Sequence, residues 1–268
     1  MPALIDERPP RPHHRGGRFM NRLIGQAIAV VALGVLSTAV MPACAENDQS
    51  IFIRNMLGPA QNRQNNACVY SSDPTQLAIS EGILDIGVAD SYRAALLVGN
   101  QLIGRGDGNN TRSESNRARL DGAVVRVTDP NGGTLGEFTA LGSGFVEPQL
   151  NNQPSFAPFF VTILDSSTIQ KVAAQVGDQS KLVVANVKVF GRTLGGVDLE
   201  TGEFQYPIRL CNGCLVSFAS GDDPATEERD CSLKLDSGGA NALPCNPGQD
   251  EVTPCQACQG RPACGGGG

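Results

Sequence analysis

The chain predicts a mainly β domain: an antiparallel β-sandwich with one short helix and a cysteine-rich C-terminal appendage. Three features point there. About eight short apolar stretches recur at hairpin spacing, with Gly-, Asn-, Asp- or Pro-rich turns between most of them. A single stretch combines helical periodicity with start and stop signals. Seven of the nine cysteines fall beyond residue 210, where large aliphatic side chains become scarce. Within this class an immunoglobulin-like topology is the first expectation, and a closed β-barrel is the alternative.

The elements follow in chain order. Ile51-Phe52-Ile53 begins a strand that Gly58-Pro59 stops. Gln61 to Ala67 is polar and Asn-rich, a loop, and Cys68-Val69-Tyr70 reads as a brief strand. In Ile83 to Val88 the apolar Leu84, Ile86 and Val88 alternate with Asp85 and Gly87, so the strand is half-buried with Asp85 facing outward. Tyr92 to Val98 is a second, more apolar strand, and Gly104 to Asn116 is a charged, glycine-broken loop. Leu120 to Val127 leads through the turn residues Asp129-Pro130-Asn131-Gly132-Gly133 to Thr134–Leu141, which returns antiparallel. Phe156 to Leu164 is apolar on both faces, the mark of a central strand.

Ser167 opens the helix, and Gln170 three residues on completes a capping box. Ile169, Val172, Ala173 and Val176 form its apolar stripe, and Gly177 ends it. Leu182 to Phe190 is the strongest strand. Phe204, Tyr206, Ile208 and Leu210 then alternate with Gln205, Pro207 and Arg209. Pro207 has no N–H to give a ladder, so this strand lies at an edge or carries a bulge. Cys214 to Phe218 adds a last short strand. The organisation is therefore a leader over residues 1–44, a sandwich over 46–218 and a disulfide-rich tail over 219–268.

The leader reads as an export signal. Arg15, Arg18 and Arg22 precede an apolar run, Leu23 to Val40, and small residues follow at Ala43, Cys44 and Ala45. Three fates compete. Met41-Pro42-Ala43-Cys44 resembles a bacterial lipobox, although Pro42 departs from it, and would make Cys44 the lipid-attachment residue. Cleavage after Ala45 would instead release a periplasmic or secreted protein. An uncut run has the length to span a bilayer. Lipidation is the expectation, and Ala45 after the cysteine suggests the outer membrane by analogy with lipoprotein sorting. Two or more acyl chains suffice for stable anchoring.

Without residues 1–43 the net charge is about −9, with basic residues dispersed, which argues against nucleic acid as a partner. The expected partners are a membrane, through the anchor, and another envelope protein. Removing Cys44 leaves Cys68, Cys211, Cys214, Cys231, Cys245, Cys255, Cys258 and Cys264, an even set, as an oxidised framework needs. After Ala219 the only large aliphatics are Leu233, Leu235, Leu243 and Val252, too few to offset ordering entropy without cross-links. The tail is therefore expected to be stapled, with Cys68 reaching one of the seven C-terminal cysteines.

Leu84-Asp85-Ile86, Ser91 through Leu102, Val187-Lys188-Val189-Phe190-Gly191 and Phe204 through Cys214 resemble exported lipoproteins of Gram-negative bacteria that carry no assigned activity. The resemblance implies an envelope address and no catalytic residues.

Candidate chemistry is sparse. Cys211-Asn212-Gly213-Cys214 and Cys255-Gln256-Ala257-Cys258 have the spacing of a four-thiolate zinc site or of a redox pair, but an exported chain favours disulfides. Arg105-Gly106-Asp107 matches an integrin-binding tripeptide and is adequately explained as a turn. Asp107, Asn109 and Asn110 offer oxygens without the spacing of a calcium loop, and Asn109-Asn110-Thr111 is formally a glycosylation sequon. His13 and His14, the only histidines, precede the cut site, which removes histidine-dependent catalysis from the mature chain. There is no tryptophan and no phosphate-cradling Gly motif. Asp85, Asp90, Glu137 and Glu147 are too ordinary to nominate as a carboxylate pair. No catalytic residue, cofactor or metal is assigned. The expected function is a non-catalytic envelope module; a carboxylate-dependent envelope hydrolase and a cysteine-based redox or zinc protein are the alternatives.

Overall fold

Asp129 shapes the turn from which the larger sheet grows. Its Oδ1 accepts the N–H groups of Asn131 (2.7 Å) and Gly133 (3.1 Å), and Gly132 takes a φ of 92°, which a side chain would resist. The computed structural model describes residues 50–60, 67–76, 78–106, 114–176, 179–219, 231 and 244–264. All of them belong to one unit, Gln49–Gly268. Cys44 and the export segment lie outside the described residues, as do Asp107, Asn109, Asn110, Thr111, Gly177 and most of 220–243.

The chain is mainly β, in more than one sheet, with one helix and a cross-linked C-terminus. One sheet holds β1 (Ile51–Met56), β3 (Tyr92–Asn100) and β6 (Ser155–Leu164), with β3 in the middle and all pairs antiparallel. The other holds β2 (Gly82–Asp85), β4 (Ala118–Thr128), β5 (Thr134–Val146), β7 (Lys181–Thr193) and β9 (Phe204–Cys211), in the order β2-β9-β7-β4-β5. β8 (Asp198–Glu200) folds back on β7. One sheet curls into a half-barrel. β5 and β6 approach where Gly142 lies against Phe159 and the Phe160 carbonyl, with no room for a Cβ.

Between the sheets Leu96, Val98, Leu120, Val125, Val127, Phe159, Ile163, Val187 and Ile208 are buried in one core. The helix α1 (Ser166–Val176) adds Ile169, Val172 and Val176 to it. A separate small cluster is built largely of sulfur: Cys231, Cys255, Cys258 and Cys264 with Val88, flanked by Val216, Phe218 and Ala263. β10 (Val216–Ser217) pairs with β11 (Thr253–Pro254) beside it.

The strand order is the immunoglobulin-like one expected: β1-β3-β6 corresponds to strands A-B-E and β9-β7-β4-β5 to G-F-C-C′, with β2 added parallel to β9 on the outer flank. Several local expectations need correction. Residues 68–70 form no strand. The alternation in Ile83–Val88 does not continue as strand: β2 stops at Asp85, and the carbonyl of Asp85 accepts the N–H groups of Val88 and Ala89 in a turn. Helix α1 is capped by Asp165, whose Oδ1 accepts the Thr168 N–H at 3.2 Å while Ser167 donates to Oδ2. β6 ends its hydrogen-bonded sheet rather than lying centrally; its apolar second face is met instead by aromatic contacts, Phe156 with Phe52 and Phe160 with Tyr70. Pro207 behaves as expected. β2 pairs with β9 only from Ile208 onward, so β9 is an edge on that flank at Pro207.

Candidate functional site: the tail clasp

The C-terminal segment closes over one end of the sandwich, and three side chains hold it there. Asp85 ends β2 with its side chain fully buried. Oδ1 accepts the N–H groups of Gly87 (3.0 Å) and Gly213 (2.8 Å), and Oδ2 accepts that of Leu215 (3.0 Å). A carboxylate taken out of water must have its lone pairs met, and three convergent backbone donors meet them. The same bonds shape the loop between Cys211 and Cys214, in which Gly213 takes a φ of 78°.

Gln249 imitates a neighbouring strand. Its Oε1 accepts the Arg93 N–H at 2.9 Å and its Nε2 donates to the Arg93 carbonyl at 2.8 Å, so one amide side chain satisfies both backbone groups at the start of β3. Asp250 does the same for the outer edge of β2. Its N–H donates to the Ile83 carbonyl at 3.0 Å, and its Oδ1 accepts the Ile83 N–H at 2.7 Å. To reach both, Asp250 adopts a φ of 60°, sparsely populated for a residue with a side chain. Its Oδ2 accepts the Tyr92 hydroxyl at 2.6 Å, and the Tyr206 hydroxyl lies 3.2 Å from that of Tyr92. Tyr92 has one proton and spends it on Asp250, so Tyr206 donates to Tyr92.

Burial sets the acid–base behaviour of this chain of groups. It pushes both tyrosines far above the ordinary phenol range, so both hydroxyls stay protonated. Burial also raises Asp250 above its ordinary 3.8, although the bonds from Tyr92, Ile83 and Gln249 pull the other way; Glu251 adds repulsion. Between the ordinary and the raised value the folded state holds more proton than the unfolded chain. The stability this carboxyl contributes is therefore present in acid and falls as pH rises through that window. Asp250→Asn removes the titration. Relative to the native protein, the variant should gain stability as pH is raised from about 4 to about 7. Urea midpoints of both proteins across that range check it; a relative loss on raising pH contradicts it.

The predicted cysteines pair among the described residues as Cys68–Cys245, Cys211–Cys214, Cys231–Cys255 and Cys258–Cys264. Cys68 thus reaches the tail, as expected. Four disulfides mark an oxidising, extracytoplasmic environment. The two C-x-x-C pairs do not join into a four-thiolate site. Cys211 bonds Cys214 directly, whereas Cys255 and Cys258 take partners elsewhere. The ligand atoms of Asp85, Cys211 and Cys214 do lie within 4.8 Å of one another. In the disulfide state, with the carboxylate engaged by three N–H groups, that trio has little left to offer a metal. Arg105 and Gly106 both donate their N–H groups to Glu114 Oε2 at 2.8 Å, so that loop is bound internally.

Of the groups that matter here, sequence reasoning set Asp85 aside and passed over Gln249, Asp250 and the Tyr92–Tyr206 pair. The Asp85-Ile86-Gly87 step carries a turn signal that was available; nothing local distinguishes Gln249 or Asp250. A cavity of about 10 Å³ beside the clasp, lined in part by Tyr70, Tyr92, Asn246 and Asp250, has room for about one water. Among the described residues no helix is long and apolar enough to cross a membrane. Comparison with protein-family models, curated proteins and solved structures finds no match to this chain.

Proposed function

We propose that this chain is a non-catalytic module of the bacterial cell envelope, exported, held to the outer membrane by lipid on Cys44, and engaged in binding or assembly with another envelope component. The observation that carries the reading is how the gathered polar groups are spent. Asp85, Gln249 and Asp250 give their side-chain oxygens to backbone N–H groups and to Tyr92, not to a cleft. The cavity beside them is far too small for a sugar ring or peptide. The four disulfides suit a protein that must persist outside the cytoplasm. The acidic net charge makes nucleic acid an unsuitable partner.

The test is in-cell cross-linking of the tagged protein followed by identification of what co-purifies. Recovery of a specific envelope protein is the expected result. Turnover of purified cell-wall material that is lost on replacing one carboxylate, with no partner recovered, would overturn it in favour of a hydrolase. Mass spectrometry of the mature N-terminus tests the anchor: acyl chains on Cys44 are expected, and an unmodified chain beginning at Glu46 removes it.

A further inference from the structure

We propose that the end of the sandwich opposite the clasp faces the membrane, and that Ile103, Leu150, Leu194 and Val197 enter the interfacial layer of that bilayer. The inference rests on the anchoring reading and adds to it a surface and an orientation.

Strand register places these residues together. Ile51 pairs with Asn100, Asn100 with Ser155, and Ala118 with both Val146 and Thr193. Residues 50, 101, 117, 147, 154 and 194 therefore all leave the same end of the fold. Tyr92 pairs with Leu164, Lys181 with Leu210 and Asp85 with Cys211 at the other end, where the clasp sits. The nine residues of β3 separate the ends by about 30 Å.

The loops at the first end are tied into one surface. Gln149 donates its N–H to the Leu102 carbonyl, Asn116 Nδ2 to the Ile103 carbonyl, and Leu194 and Gly195 their N–H groups to the carbonyls of Arg117 and Ser115. On this surface Ile103 is 69% exposed, Leu150 70%, Leu194 53% and Val197 62%. Each stands on a loop or hairpin shoulder; Leu150 flanks the tight turn of Asn151 and Asn152, both at positive φ. Among the described residues, Arg117 pairs with Glu147 at 2.7 Å, and Arg192 with Asp121 and Asp198 at just under 4 Å.

The position of the N-terminus selects the occupant. Gln101 donates its N–H to the Ser50 carbonyl at 3.0 Å, so the chain enters the domain at this same end. Ser50 lies six positions after Cys44, a reach of at most about 20 Å. A lipid on Cys44 keeps these apolar loops beside the bilayer and raises their effective concentration there. Separate apolar tips on projecting loops suit a fluid layer, which takes them up without a shaped partner. With Arg117 and Arg192 already in ion pairs, entry should need no anionic lipid and should respond little to salt.

The chain has no tryptophan, so one introduced residue is a unique reporter. Leu150→Trp and Leu194→Trp report on the tip; Val252→Trp, exposed at the clasp end, is the control. The full exported protein is placed on phosphatidylcholine vesicles carrying brominated acyl chains, in its lipidated form and as the unacylated Cys44→Ala protein. Blue-shifted emission and roughly twofold or greater quenching are expected at the tip positions of the lipidated protein, with Val252→Trp unchanged. The unacylated form should show the same pattern only at higher lipid. Acyl chains present with no tip quenching, or with equal quenching at both ends, overturn the inference and leave the anchor standing. If the mass of the mature N-terminus shows no acyl chain, the anchor fails separately. Tip quenching of the unacylated protein then still supports the surface, and its absence overturns it. A blue shift confined to native membranes, without quenching by brominated lipid, means a protein covers the tip and likewise overturns the inference.

Discussion

Asp85→Ala should cost about 2–5 kcal/mol, because it strands the buried N–H groups of Gly87 and Leu215 at roughly 1–3 kcal/mol each, while water can reach the half-buried N–H of Gly213. Gly87, Gly213 and Leu215 lose their acceptor together, and two of them belong to a segment 128 and 130 residues away in sequence. The loss is comparable with the whole stability of many domains, so the variant should accumulate poorly on export. Asp85→Asn keeps one acceptor oxygen but turns an amide N–H toward a backbone donor, and should fall between. Urea denaturation of the exported proteins measures the order native, Asn, Ala. Hydrogen exchange should show the loss concentrated at residues 86–89 and 211–215. An unchanged midpoint for Asp85→Ala would mean that these donors reach water and that the carboxylate is not the link.

Replacing Cys68 and Cys245 together by serine should be of similar size, about 5 kcal/mol on the loop-closure argument, because the bridge closes a span of 177 residues. Replacing Cys211 and Cys214, three apart, should cost about 1–2 kcal/mol on the same argument. The contrast is the useful measurement, since one pair ties the tail to a distant segment and the other closes only a local loop. Without Cys68–Cys245, residues 244–254 lose their covalent tie and are held by non-covalent contacts such as the bonds of Gln249 to Arg93 and of Asp250 to Ile83, so local release should precede global unfolding. Limited proteolysis should then cut first in the tail of the double variant, and thermal unfolding should show the larger shift. Equal shifts for the two pairs would contradict the entropic account of the long bridge.

The local properties of this chain were legible without its structure. Period-two alternation marked β9, apolar stretches marked β4 and β7, the Asp129–Gly133 residues marked a hairpin turn, and the stripe from Ile169 to Val176 marked the helix. These signals depend on neighbours a few residues apart, which the sequence displays directly. The even cysteine count and the scarcity of aliphatic residues after Ala219 likewise announced a cross-linked tail. What the sequence cannot display is the environment created by distant partners. Asp85 stands in an alternating run that assigns it to solvent, yet it is buried because Gly213 and Leu215 arrive with N–H groups that need an acceptor. Gln249 and Asp250 look like ordinary tail residues until Arg93 and Ile83 present unpaired strand edges to them. The parallel pairing of β2 with β9 and the choice of Cys245 for Cys68 were decided in the same way. Each depends on contacts across more than a hundred residues, where many partners are equally compatible with local pattern and only packing the whole chain selects one.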